Sequence, residues 1–126
     1  MHHFRYDVRR LQDKPVAVVT LEGNLDSIAA HRLNEALGVL IDSGATHVAV
    51  DMVRVGYVNS EGWRILLVRA RELEQKKGEM RLADMAPDLE SVFRALGLSE
   101  IIAQHNDLDT ALQAALDSWK STSPAG

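Results

Sequence analysis

Cysteine is absent from this chain, which excludes disulfides and thiol catalysis and leaves the redox compartment open. Aromatic residues make up only 5% of it, and 14 Lys and Arg against 18 Asp and Glu leave a net charge of −4. No stretch concentrates basic side chains with aromatics between them, so nucleic acid is not an expected partner. Long apolar runs are missing too: Val16–Val19 and Ile65–Val68 fall far below the roughly 20 residues of a membrane span. The start, Met1-His2-His3-Phe4-Arg5, has no apolar signal core. The expectation is a soluble, cytoplasmic protein with no direct membrane insertion. Internal repeats and low-complexity tracts are also lacking.

What is present is a 126-residue chain with 46% hydrophobic residues, enough for one domain with a real core and too short for two ordinary ones. Residues 1–120 read as that domain and 121–126 as a flexible, frayed tail. Phe4, Tyr6 and Val8 alternate with charged residues, as in a half-buried strand. Val16 to Leu21 is nearly all apolar and β-branched, as in a central strand, and Asp13-Lys14-Pro15 between the two marks a tight antiparallel turn. Gly23 is expected to end the second strand. The period then becomes helical: Ile28, Leu33, Ala36, Leu37, Leu40 and Ile41 share a stripe, capped by Asp26 or Ser27 and stopped by Gly44. A third strand is expected over His47 to Val53.

After a short loop, Asn59 or Ser60 opens a helix marked by Ile65, Leu66, Val68 and Leu73, which Gly78 closes. Met80 and Leu82 mark a fourth strand, and Pro87 stands where a first helical residue belongs, ahead of Leu89, Val92, Phe93 and Leu96. Ile101 to Ala103 reads as an edge strand or a turn, and Asp107 or Asp109 starts a last helix with Leu108, Leu112, Ala115 and Trp119 on one side. The predicted helices span 27–43, 60–77, 87–96 and 107–119. Two strands followed by alternating helices and strands give an α/β fold: a mixed sheet of four to five strands with four packed helices, since parallel strands need helical crossovers.

The stretch from Asp51 to Trp63 carries the chemistry. Ser60 falls at a helix start, where first-turn N–H groups lack intrahelical acceptors and the helix dipole is positive, so a phosphate on its hydroxyl would find donors waiting. Plain capping by Asn59 and Ser60 accounts for the same pattern. Catalysis is not expected. Ser60 lacks the glycine pattern of a nucleophile elbow, and no phosphate-cradling glycine loop with its lysine occurs. His2, His3, His31, His47 and His105 have no metal-ligand spacing and read as isolated surface histidines. No cofactor, metal or catalytic residue is assigned.

In their order, these elements, with Leu21-Glu22-Gly23-Asn24-Leu25-Asp26, Val48-Ala49-Val50-Asp51-Met52, Val55-Gly56-Tyr57-Val58-Asn59-Ser60-Glu61-Gly62 and Ala95-Leu96-Gly97-Leu98, resemble the STAS domain of bacterial anti-anti-sigma factors over residues 5 to 118. The resemblance implies an anti-sigma factor antagonist. Its partner would be an anti-sigma factor, often a serine kinase using ATP, and phosphorylation of Ser60 would switch it off, with a phosphatase to reverse this. Ser60 and Asp26 match the family's functional positions, and the expected partner surface is Asp26, Tyr57, Asn59, Ser60, Glu61, Gly62 and Arg64. The same fold also serves as an unphosphorylated scaffold subunit of membrane transport complexes and as a small-ligand sensor.

This chain departs from the family's usual Asp-Ser-Ser-Gly by carrying Asn59-Ser60-Glu61-Gly62, which removes one carboxylate before the serine and adds one after it. Trp63-Arg64 replaces the usual Leu-Gly. Arg64, four residues after Ser60, can reach a phosphate there or a partner's carboxylate, or it can pair with Glu61; the last is the expected arrangement. Asp26 has equal claims as a helix cap and as a recognition residue. Tyr57 and Trp63 read either as core anchors or as interface aromatics.

Overall fold

The computed structural model describes residues 4–122. Strand β1 (Arg5–Arg10) turns back into β2 (Val16–Leu25), and then α1 (Ser27–Asp42), β3 (His47–Val58), α2 (Ser60–Gln75), β4 (Glu79–Ala83), α3 (Pro87–Ala95), a 3-10 turn at Leu98–Glu100, β5 (Ala103–His105) and α4 (Leu108–Thr122) follow. The five strands lie in chain order, β1 antiparallel to β2 and every later pair parallel. The α/β fold with a mixed sheet and four helices is the one expected.

Strand alternation sets the two layers. Ala17, Val19 and Leu21 of β2 with Val48, Val50 and Met52 of β3 face the main core, where Leu33 and Leu37 of α1, Trp63 and Leu66 of α2, and Leu89 and Phe93 of α3 pack on them. The opposite face carries α4. Ala49, Ala83 and Ala111 meet there with Leu108 against them, small side chains that bring the helix close to the sheet. Helices α1 and α2 are tied side by side by Arg69, which donates from Nε to Asn34 Oδ1 (2.8 Å) and from Nη2 to the Asn34 carbonyl (3.1 Å). Gly38 leaves room for that guanidinium, since a Cβ there would lie 2.8 Å from Nη2.

Several expectations are corrected. Strand β1 is exposed along its whole length, not half-buried; only Phe4 just before it is buried. It lies at the sheet edge, and Tyr6 and Val8 form one wall of an open groove whose other wall is Ala36, Val39 and Leu40 of α1. Gly23 does not end β2, which runs on to Leu25, and β3 runs on to Val58 through the segment expected as a loop. Two register shifts between these strands, at Thr20/Glu22 and Gly23/Asn24, each give β3 one extra residue, and Gly23 at φ 111° accommodates the second. Ile28, placed on the buried stripe of α1, is 71% exposed, because Ala29 and Ala30 are the residues that turn inward. Ser121 and Thr122 belong to α4; residues 123–126 of the expected tail lie outside the described residues.

His47 is the clearest correction among the histidines: it is 2% exposed, not at the surface. It begins β3 on the α4 face, its Nδ1 2.8 Å from Thr46 Oγ1 and its Nε2 without a hydrogen-bond partner among the described residues. Burial holds its pKa below the ordinary histidine value, with Glu79 opposing and Arg81 reinforcing the effect. The folded state therefore holds the ring neutral while the unfolded chain takes up a proton near pH 6.5. Stability from this residue is complete above about pH 6.5 and is lost as pH falls from there toward the lowered folded value. Thermal melts from pH 7.5 down to 5.5 are expected to show falling stability, with a smaller fall in His47→Gln; parallel curves would remove His47 as a cause.

Candidate functional site

The site is built by two parallel strands that end together. Leu25 of β2 and Val58 of β3 are paired, and a single residue follows each before a helix begins, Asp26 before α1 and Asn59 before α2. Parallel strands with such short connections place both helix N-termini side by side at one sheet edge. Asp26 Oδ1 accepts from the Ala29 N–H and Asn59 Oδ1 from the Gly62 N–H, both at 2.9 Å, so each is the N-cap. Asn59 also joins the two starts: its Nδ2 donates to Ser27 Oγ at 3.0 Å and its backbone N–H to the Leu25 carbonyl at 3.0 Å. An amide keeps the cap without setting a second full negative charge beside Asp26.

Ser60 is the first residue of α2 and is exposed. The positive ends of two helix dipoles meet near this hydroxyl, one capped by the Asp26 carboxylate and the other carrying Glu61 in its first turn. Arg64 makes the expected pair: its Nε and Nη2 donate to the two Glu61 oxygens at 2.8 and 3.0 Å. These bonds hold the Glu61 carboxyl below the usual carboxylate range and raise Arg64. Both groups stay in water, where such pairs add little to stability.

Beside Ser60 opens a groove of about 260 Å³ lined by Ser60, Trp63, Arg64, Leu67, Leu96 and Leu98. Trp63 forms its floor, 5% exposed and tilted at 42° against Phe93 with centroids 6.0 Å apart, which makes it a core anchor. Tyr57, 52% exposed at the end of β3, is available for contact. Gly62, expected at the contact surface, is buried instead: a Cβ there would lie 2.8 Å from Val58 Cγ1 and 3.0 Å from Leu25 Cδ2, so its small size lets α2 start tight against the strand ends.

Asp26, Asn59, Ser60, Glu61 and Arg64 are thus gathered at one edge, with Tyr57 on the strand leading into it. Sequence reasoning missed Ser27, which Asn59 holds; Ile28, exposed in the first turn of α1; and Leu96, 56% exposed on the groove wall. The readable signals were Ile28 in the turn right after the cap and Leu96 right before Gly97, where the chain leaves α3 through a left-handed residue at φ 78°. Among the described residues no three His, Asp or Glu side chains cluster to hold a metal, and no helix is long and apolar enough to cross a membrane.

The STAS domain family model matches residues 8–111. The chain belongs to the STAS domain family. BtrV of Bordetella bronchiseptica, classed as an anti-sigma factor antagonist, is 31% identical over 97 residues, covering 77% of this chain and 84% of that one. An anti-sigma factor antagonist from Mycobacterium paratuberculosis superposes with a TM-score of 0.82 at 23% identity, over 91% of this chain and 96% of that one. The Bacillus cell fate determinant SpoIIAA in its phosphorylated form superposes at 0.65 with 25% identity, over 91% and 97%.

Proposed function

We propose that this STAS protein is an anti-sigma factor antagonist: a binding module, not an enzyme, acting in the cytoplasm through the edge where α1 and α2 begin. Its partner is an anti-sigma factor that is also a serine kinase using ATP, and phosphate on Ser60 ends the association until a phosphatase removes it. Asp26, Tyr57, Ser60, Glu61 and Arg64 are the contact residues, while Asn59 and Gly62 set the geometry beneath them. The observation that carries this reading is Ser60 itself, an exposed hydroxyl on the first turn of α2 beside a second helix start. The phosphorylated form of SpoIIAA, a relative of the same fold, supports it.

Incubated with its cognate anti-sigma kinase and ATP, the protein is expected to gain one phosphate, on Ser60, and Ser60→Ala is expected to gain none while staying folded. The fold survives because Asn59, not Ser60, supplies the cap. Intact-mass spectrometry decides: no gain with a kinase shown to be active, or a gain that persists in Ser60→Ala, would overturn the reading.

A further inference from the structure

We infer that β1 is a self-association edge, on which two copies of this chain pair β1 against β1 about a two-fold axis and extend the sheet across both.

Among the described residues the outer side of β1 is open, since β1 is the first strand of the sheet and its one partner there is β2. The Leu11 N–H donates to the Val16 carbonyl at 2.9 Å, which makes that residue pair a hydrogen-bonded one. Antiparallel alternation then turns the backbone groups of Arg5, Asp7 and Arg9 toward β2 and those of Tyr6, Val8 and Arg10 toward the open edge. The strand has no proline, and its register with β2 is unbroken, so none of the usual bulge or proline guards protects this edge.

Charge could still guard it, as four of its six residues, Arg5, Asp7, Arg9 and Arg10, are ionised. Their signs instead select one pairing. The outward residues Tyr6, Val8 and Arg10 must face one another across the axis. A register centred on Asp7 sets Asp7 against Asp7 and Arg5 against Arg9; one centred on Arg9 sets Arg9 against Arg9. The register centred on Val8 sets Asp7 against Arg9 twice, Val8 against Val8 and Tyr6 against Arg10 twice, engaging five of the six residues. The register centred on Tyr6 avoids like charges but engages only three.

The side chains are already placed for this pairing. Arg10 is held by Ser43, donating from Nη1 to its carbonyl at 2.9 Å and to its Oγ at 3.1 Å. The Tyr6 ring is held by Arg32, whose guanidinium carbon lies 5.7 Å from the ring centroid. In the pair, the copy's Arg10 stands directly opposite Tyr6 across the new strand boundary. Pairing also joins two apolar grooves of about 420 Å³ each, walled by Tyr6, Val8 and Val39. None of these residues belongs to the edge around Ser60, so a dimer leaves both of those sites open and stands or falls apart from the function proposed above.

Sedimentation velocity on the full chain across about 1–200 µM, a range bracketing micromolar association, is the test. A dimer is expected whose dissociation constant rises roughly tenfold or more in Asp7→Arg and in Arg9→Asp, because each converts two attractive pairs into two repulsive ones. The double variant Asp7→Arg/Arg9→Asp restores both attractions in the same register and is expected to dimerise like the parent. Circular dichroism should show all variants folded, as these side chains are exposed. A chain that stays monomeric throughout, a dimer indifferent to the single changes, or a double variant that fails to recover would each overturn the inference.

Discussion

Gly78→Ala is expected to cost about 4 kcal/mol, a large part of the margin of a domain this size, and to lower the melting temperature by roughly 15 °C. A Cβ on Gly78 would lie 1.7 Å from the Thr46 carbonyl oxygen and 2.6 Å from its carbon. Those are backbone atoms, and the same oxygen accepts from the Glu79 N–H at 2.9 Å, the bond that starts the alignment of β4 with β3. No rotamer change relieves the clash; the strands must separate where they begin. The glycine was expected for its freedom of conformation at the end of α2, but the left-handed residue there is Lys77, at φ 62°. Lys77 N–H donates to Glu74 and Gly78 N–H to Leu73, at 2.9 and 2.8 Å, a Schellman ending with the glycine one place later than usual. Lys77→Gly should therefore shift stability the other way, by about +0.5 kcal/mol, since relief of left-handed strain slightly exceeds the added unfolded-state freedom. Denaturant melts of the two variants decide, and a Gly78→Ala cost below about 1 kcal/mol would remove close approach as the reason for that glycine.

Helices were legible here because their signals are local. Asp26, Asn59, Pro87 and Asp107 act within one turn of themselves, and each helix lies within two residues of its predicted bounds except α4, which runs past Trp119 to Thr122. Strand ends were not, because β2 and β3 are prolonged by their pairing with each other, through bulges that break the alternation a sequence pattern relies on. Burial in β1 and at His47 depends on where the helices lie. Helix α1 leaves Tyr6 and Val8 open at the edge, and His47 is buried at the start of β3, whose Ala49 packs on α4. The site shows the same division. Ser60 and its cap could be read from the local pattern, whereas the Asn59–Ser27 bond joins residues 32 positions apart and exists only because two parallel strands end in step. Local sequence places Gly62 beside Ser60 on the contact surface, whereas its neighbours in space, Val58 and Leu25, make it a packing residue.

Phosphate on Ser60 is expected to weaken binding of the anti-sigma partner by roughly 100-fold, about 2.7 kcal/mol. The modification adds about 1.5 to 2 negative charges beside Glu61, on a surface that must lose its water when the partner docks. Arg64, one turn into α2, already has its Nε and Nη2 donors on Glu61. If Arg64 turns to the phosphate, Glu61 loses its partner, so the excess negative charge at the interface stays whichever acceptor Arg64 holds. Ser60→Glu carries one charge and fewer acceptor oxygens, and is expected to weaken binding only about tenfold. High salt should narrow both differences without abolishing them, because exposed charges are screened and desolvation is not. Calorimetric titration of unmodified, phosphorylated and Ser60→Glu protein against the same anti-sigma factor gives the order. Equal affinity of the phosphorylated and unmodified forms would leave Ser60 an acceptor of phosphate that controls nothing, and would favour a role for this STAS surface as a constant scaffold.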